Sequence, residues 1–344
     1  MTYSEIISDN CSHHSSVSWW PKFAFHFTDV TNAVNIISSG FLYSRIDATN
    51  HNVMMNDNAS RQVIDMTNSN VVSLVRFNFR PLTPTQYYNE GYKHMSIRYD
   101  GDPNANIPVP IFFLFDLDKI LSLPCVKYSE KTQAGHGTTL QSGIENFSKL
   151  NFDAIYSSAY EELDETKAYR HAEIVLSESI EIAPFLNTIL CRTNTERTTL
   201  LNILKEKDNL AYLKYRDRIK VYRKDSFENN GLSIFDCLFH DNKISIIFSD
   251  SYAQKSYAYK MMERLKIDRL EPIDVKIEID WLNSRNHISH LEIKSLVNYL
   301  HPGPINITHL PRYPKANEIG VKIYLDNKLV CYVKHSLDSI ELIK

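Results

Sequence analysis

Residues 23–41 read FAFHFTDVTNAVNIISSGF, and the first six alternate strictly. Phe23, Phe25 and Phe27 share one face of a strand, and Ala24, His26 and Thr28 share the other. Further on the period changes. Val30, Ala33, Val34 and Ile37 fall at helical spacing, Thr31 or Asn32 can cap the start, and Gly40 ends the helix with Phe41 as an apolar contact behind it. A strand running into a short helix thus opens the first folded unit, with a histidine and a threonine together on the strand's less apolar face.

A chain of 344 residues exceeds the usual size of one compact core and suggests two domains. A hydrophobic fraction of 43%, a charged fraction of 23% and 20 Tyr with 16 Phe describe a globular protein with ample core and exclude extended disorder. No apolar run approaches the roughly 18–20 residues that span a bilayer. The N-terminus, MTYSEIISDNCSHHSSVS, lacks a basic n-region and an apolar h-region, so a cytoplasmic protein is expected. The five cysteines are scattered singly without a CxxC pair, which fits reduced thiols and argues against a structural zinc site; no metal is expected.

A formal net charge of −3 points to no anionic partner by itself. Local charge is more informative: residues 192–224 carry ten Lys and Arg against four Asp and Glu, with Tyr212, Tyr215 and Tyr222 interleaved. Basic charge beside aromatic planes suits a nucleic-acid backbone and its bases, and equally suits a solvated amphipathic helix followed by a strand.

Along the chain, residues 1–22 read as a polar tail and residues 45–70 as a long Asn-rich loop. Strands are expected at 71–79 and 111–115, a flexible loop over SEKTQAGHGTTLQSG (129–143), and a strand at HAEIVL (171–176). A helix is expected from about Asn187 to Lys207, and an edge strand at RIKVYRK closes a first domain spanning 23–226. Residues 229–344 read as an α+β accessory domain. It has hairpins turning at Asp241-Asn242 and Asp326-Asn327 and helices at about Tyr252–Leu265 and Ser289–Leu300.

HAEIVL repeats the logic of the opening stretch: Ala172, Ile174 and Leu176 face one way, and His171, Glu173 and Val175 the other. Taken alone, an exposed strand glutamate explains this well. Three blocks in order carry more: His26-Phe27-Thr28 with Asn32 and Gly40, then VRFNFRPLTP (75–84), then YRHAEIVL (169–176). Together they resemble the DarT family of nucleic-acid base ADP-ribosyltransferases, with its H-x-T strand and helix, its VPFYFxPRxPM-like strand and turn, and its basic run into AE(F/I)LV. The resemblance covers about residues 23–226. Arg76 stands where the family has proline, Leu82 where it has arginine and Thr85 where it has methionine.

The resemblance implies an α+β ADP-ribosyltransferase fold, two short and mostly antiparallel sheets opening an NAD cleft. It also implies cleavage of the nicotinamide–ribose bond of NAD, which is consumed, and transfer of ADP-ribose to a base through an oxocarbenium-like state that a carboxylate stabilises. Glu173 matches that carboxylate, and Arg61 in the long loop matches an arginine that stabilises the deprotonated base or holds the NAD phosphates; Arg45 is the alternative. His26, Phe27 and Thr28 match NAD contacts, with Asn35 and Tyr43 added on position. Arg76, Asn78, Arg80, His136, Arg170 and His171 are expected on the nucleic-acid side. The expected substrate is single-stranded DNA, with RNA second, and the expected partner is an antitoxin of a toxin–antitoxin or anti-phage system. A protein-modifying transferase and a catalytically silent binding module are the rival readings.

Overall fold

The computed structural model describes residues 1–54, 73–102, 104–132, 139–157, 164–222, 225–240, 242–284 and 287–337. Alternation at the start produces the strand it implies: β1 (Phe23–Asp29) runs into a helix at Val30–Ser39 that Asp29 caps and that Gly40 ends at φ 74°. The first 230 residues add β2 (Phe41–Leu42), β3 (Val75–Asn78), β4 (Pro110–Asp116), β5 (Val126–Ser129), β6 (Glu173–Leu176), β7 (Ile180–Glu181), β8 (Leu186–Cys191) and β9 (Ile219–Val221). Seven of these form one sheet in the order β5-β6-β3-β1-β4-β8-β9, antiparallel except at β8/β9, while β2 and β7 pair separately.

The join at its centre is the feature that positions the site. β1 pairs with β4 through seven residues and β3 with β6 through four, yet β1 and β3 share one pair, Phe25 with Asn78. Where two short sheets were expected, the strands are thus assigned to a single sheet whose two halves are stitched at one point. Beyond that stitch residues 26–29 of β1 and 75–77 of β3 share no ladder pair, and the His26 side chain bridges them to the Arg76 carbonyl. Buried Ala24, Phe25, Phe77, Phe113 and Ile174 form the core around the join.

A second core gathers around β12 (Ile273–Leu282) after the hairpin of β10 (Ile234–His240) and β11 (Lys243–Phe248). β13 (His287–Val297), β14 (Ile305–Ile307), β15 (Glu318–Leu325) and β16 (Lys328–Ser336) complete it, giving sheets ordered β10-β11-β14 and β13-β12-β15-β16 with a helix at Tyr252–Leu265. Tyr92 and Ile97, from the earlier part of the chain, belong to this second core. Gly91, at φ 73°, lets the two parts meet: a Cβ there would lie 2.7 Å from the Cα of Gly231. Tyr92 and Leu232 exchange backbone hydrogen bonds beside it. Around this crossing Glu90, fully buried, accepts from Gln86, from the amides of Glu228 and Asn229, and from Arg192.

Three expectations are corrected. The polar tail is folded: Thr2 and Glu5 form a capping box for a helix at Tyr3–His13, and Ile6, Val17 and Trp20 are buried. Residues 186–191 are β8 rather than the start of a helix, which spans Asn194–Lys207 from a Thr193 cap; pairing of β8 with β4 and β9 decides between two periods that Leu186, Ile189 and Leu190 both permit. Residues 289–297 are strand rather than helix, because alternate side chains of β13 turn inward against β12 along its full length.

Candidate active site

Glu173 is the first residue of β6 and lies opposite Asn78 on one side and Ser129 on the other. Its side chain is 9% exposed, and Arg76, two residues along β3 on the same face, meets it with a two-pronged contact. Nη2 reaches Oε1 at 2.5 Å and Nε reaches Oε2 at 3.2 Å. A guanidinium fork fixes both carboxylate oxygens in one plane, a restraint that a lysine would not supply. The carboxylate retains lone pairs on both oxygens for further donors.

His26 approaches the same arginine from its backbone. The Nδ1 of His26 lies 3.2 Å from the Arg76 carbonyl oxygen, at the point where β1 and β3 no longer pair. A carbonyl only accepts, so Nδ1 carries the proton and Nε2 keeps a lone pair. Burial pushes the imidazole pKa below its ordinary value, only partly offset by that hydrogen bond, so the ring is neutral at pH 7. By register Glu173, Asn78 and Phe25 share one face and His26 belongs to the other. The two predicted residues are thus joined through Arg76, side chain on one side and carbonyl on the other, at the seam of the sheet.

Among the other predicted residues, Thr28 is buried on β1 beyond the stitch, and Asn78 is half-buried beside Glu173. His171 stands near Arg76: burial, and then the guanidinium, push its pKa down to about 4. Arg170 precedes it, close enough to Arg80 to depress the latter's pKa. Phe27 packs on Phe112 with ring centres 4.9 Å apart, and Tyr43 lies against His51 at 4.9 Å. Arg61 and His136 lie outside the described residues.

Two of these residues are already engaged by their surroundings. Arg80 is buried, donates to the carbonyls of Pro81, Ile155 and Ser157, and lies over the Trp20 ring at 4.6 Å. Burial lowers its pKa to about 9. It braces the turn after β3 and is not part of an anion cradle with Arg76. Asn35 is also engaged at both ends, donating to the Val53 carbonyl at 2.6 Å and accepting from Lys207. The basic run is likewise partly internal. Arg192 pairs with Glu196 and Glu90, while Arg197 and Arg218 donate to the carbonyls of Ile219 and Leu186.

A strand-borne carboxylate held by a guanidinium can stabilise a cationic sugar, which is the role the resemblance implies for Glu173. A model of the DarT family, described as ssDNA thymidine ADP-ribosyltransferase, matches residues 25–223. The chain belongs to the DarT family, and it is an NAD-dependent ADP-ribosyltransferase. Among solved structures it is similar to Thermus sp. 2.9 DarT in complex with NAD+ (14% identity, 60% of this chain and 98% of that one, TM-score 0.44). It is also similar to the same protein in complex with ADP-ribosylated ssDNA (14%, 60% and 97%, TM-score 0.47). A third such structure is Thermosipho africanus DarTG in complex with ADP-ribose (13%, 64% and 54%, TM-score 0.45). No curated protein matches the chain. No helix among the described residues is long and apolar enough to cross a membrane.

Proposed function

We propose that the chain transfers ADP-ribose from NAD to a base of single-stranded DNA, thymine being the first to test, with Glu173 as the carboxylate that stabilises the ribosyl cation. The Arg76–Glu173 fork carries this reading, since it presents a fixed, nearly buried anionic oxygen pair on the strand that holds the YRHAEIVL block. In this reading the two half-sheets form the NAD cleft, and the nicotinamide ribose enters the seam between β1 and β3. The Nε2 lone pair of His26 accepts from the carboxamide, the backbone and hydroxyl of Thr28 line the same wall, and the 2′-hydroxyl of the ribose donates to Glu173.

As the C–N bond to nicotinamide lengthens, positive charge grows on the ribose C1′ and ring oxygen, and the carboxylate stabilises it. Neutral nicotinamide departs, the base nitrogen forms the new bond to C1′, and its proton is released to solvent. Arg61 is assigned to stabilise the deprotonated base, because a guanidinium stays charged and is a poor proton acceptor. A strand without a complement exposes that nitrogen. A modified base cannot template, so we further propose that the protein acts as a toxin controlled by an antitoxin that reverses the modification or binds the enzyme.

The test is incubation with NAD and single-stranded oligonucleotides of DNA and RNA, each containing one kind of base, followed by mass measurement. One added ADP-ribose on thymine-containing DNA supports the proposal. Label on RNA alone, on the polypeptide alone, or nowhere refutes it.

A further inference from the structure

A groove of about 430 Å³ lies beyond the C-terminal end of β3, where the chain turns through Leu82 into a helix at Pro84–Asn89. Tyr87 and Tyr88 of that helix form one wall, edge to face at 5.3 Å. Tyr99 backs Tyr88 at 4.6 Å, and Tyr257 backs Tyr87 at 5.4 Å. Half-buried rings held from behind offer stacking surface at little cost in side-chain entropy.

Opposite charge is supplied from two parts of the chain. Lys167 and Arg170 come from the segment leading to Glu173, and Lys260 comes from the helix Tyr252–Leu265 of the second core; Glu228 is the one acidic group in the lining. One lining residue connects the groove to the neighbourhood of Glu173. His171, which lines it, is two residues from Glu173 and sits in the field of Arg76. At its wall Leu82 adopts φ 57°, which an L side chain avoids, and its amide donates to Gln86 Oε1 at 2.6 Å. Such strain gathers where a surface is held in shape for a ligand.

We propose that this groove binds a nucleotide of the DNA strand adjoining the acceptor base, the base stacking on Tyr88 and the backbone phosphate meeting Lys167, Arg170 and Lys260. The proposal rests on the reading of Glu173 given above and extends it: residues 229–344 supply one wall of the substrate path. The acceptor strand then approaches from the far end of β3 while NAD occupies the seam, so donor and acceptor converge on Glu173 from opposite sides.

The test uses the full chain carrying Glu173→Gln, with the binding of a fluorescent oligothymidylate followed by anisotropy at several salt concentrations. Tyr88→Ala weakens binding by roughly 5- to 100-fold, while Tyr88→Phe, which keeps the stacking face, binds like the parent. Lys260→Glu weakens binding and lowers the salt slope by about one. Lys294→Glu, an exposed change on β13, leaves both unchanged. Unaltered binding in both Tyr88→Ala and Lys260→Glu overturns the proposal, as does loss of the NAD-induced thermal shift with DNA binding intact, which would assign the groove to NAD. Modification by the wild-type enzyme is read in parallel. Groove-dependent binding without any modification refutes the proposed reaction alone, and modification with the same KM for DNA in both variants refutes the groove alone.

Discussion

Arg76 is one of three residues at which this chain departs from the family pattern and the one that touches both His26 and Glu173, so its removal is the most informative single change. Arg76→Ala deletes both prongs of the fork on Glu173. Hydrogen bonds to charged groups contribute about 1.5–3 kcal/mol when buried, whereas exposed ion pairs contribute about 0–1 kcal/mol. Here the carboxylate is 9% exposed and the guanidinium 37%, so the pair lies between these limits. A loss of about 2 kcal/mol follows, much of it the cost of leaving a nearly buried carboxylate unpaired. For a folding unit of this size that lowers Tm by about 4–8 °C. Catalysis falls further: a carboxylate displaced by about 1 Å costs on the order of 100-fold. The assay is steady-state transfer to single-stranded DNA with NAD varied, alongside thermal unfolding. The expected result is a lower kcat with a small change in KM for NAD, and Arg76→Lys intermediate because it keeps charge without the fork. An unchanged or higher kcat at reduced Tm would refute the positioning argument and make Arg76 a clamp that NAD displaces.

Removal of the His26 ring, as in His26→Ala, leaves the Arg76 carbonyl unpaired; a stability loss of about 1–3 kcal/mol and a raised KM for NAD are expected, checked by denaturant unfolding and kinetics. Glu228 has its pKa raised to about 7, by burial first and then by Glu90. The folded state therefore holds a proton that the unfolded state releases near pH 4.5, and stability falls as pH rises through about 4.5–7. Glu228→Gln should be more stable than the parent at pH 8, by at most about 3 kcal/mol, and equal to it at pH 4. Gly231→Ala drives a Cβ to 2.6 Å from the Glu90 carbonyl oxygen and from the backbone of Gly91, so a loss of about 2 kcal/mol or more in urea unfolding is expected.

The opening strand and helix were legible because two periods change at one place and a glycine marks the end. The hairpins at Asn242 and at Asp326-Asn327 were legible for a similar reason: these residues adopt the positive φ that such turns require. Less was visible where pairing partners decide. β8 and β13 carry spacings that suit helix or strand, and only their neighbours in the sheet select one. The Tyr3–His13 helix had its signal in Thr2 and Glu5, outweighed by the polar run that follows. Glu173 and His26 stand out by motif, whereas Arg76 is expected on the nucleic-acid side, since nothing in one strand says that its guanidinium will reach across to another. Arg80 shows the converse: alternation cannot reveal that a charged side chain is buried under Trp20 and used up on carbonyls. The Glu90 network was invisible for that same reason, being assembled from segments more than 100 residues apart.

The most direct measurement is the mass of a thymine-containing single-stranded oligonucleotide after incubation with NAD and either wild-type protein or Glu173→Gln. The account predicts one added ADP-ribose with the wild type and none with the variant, both proteins showing comparable folded spectra. Equal modification by the two, or none by the wild type, would contradict it.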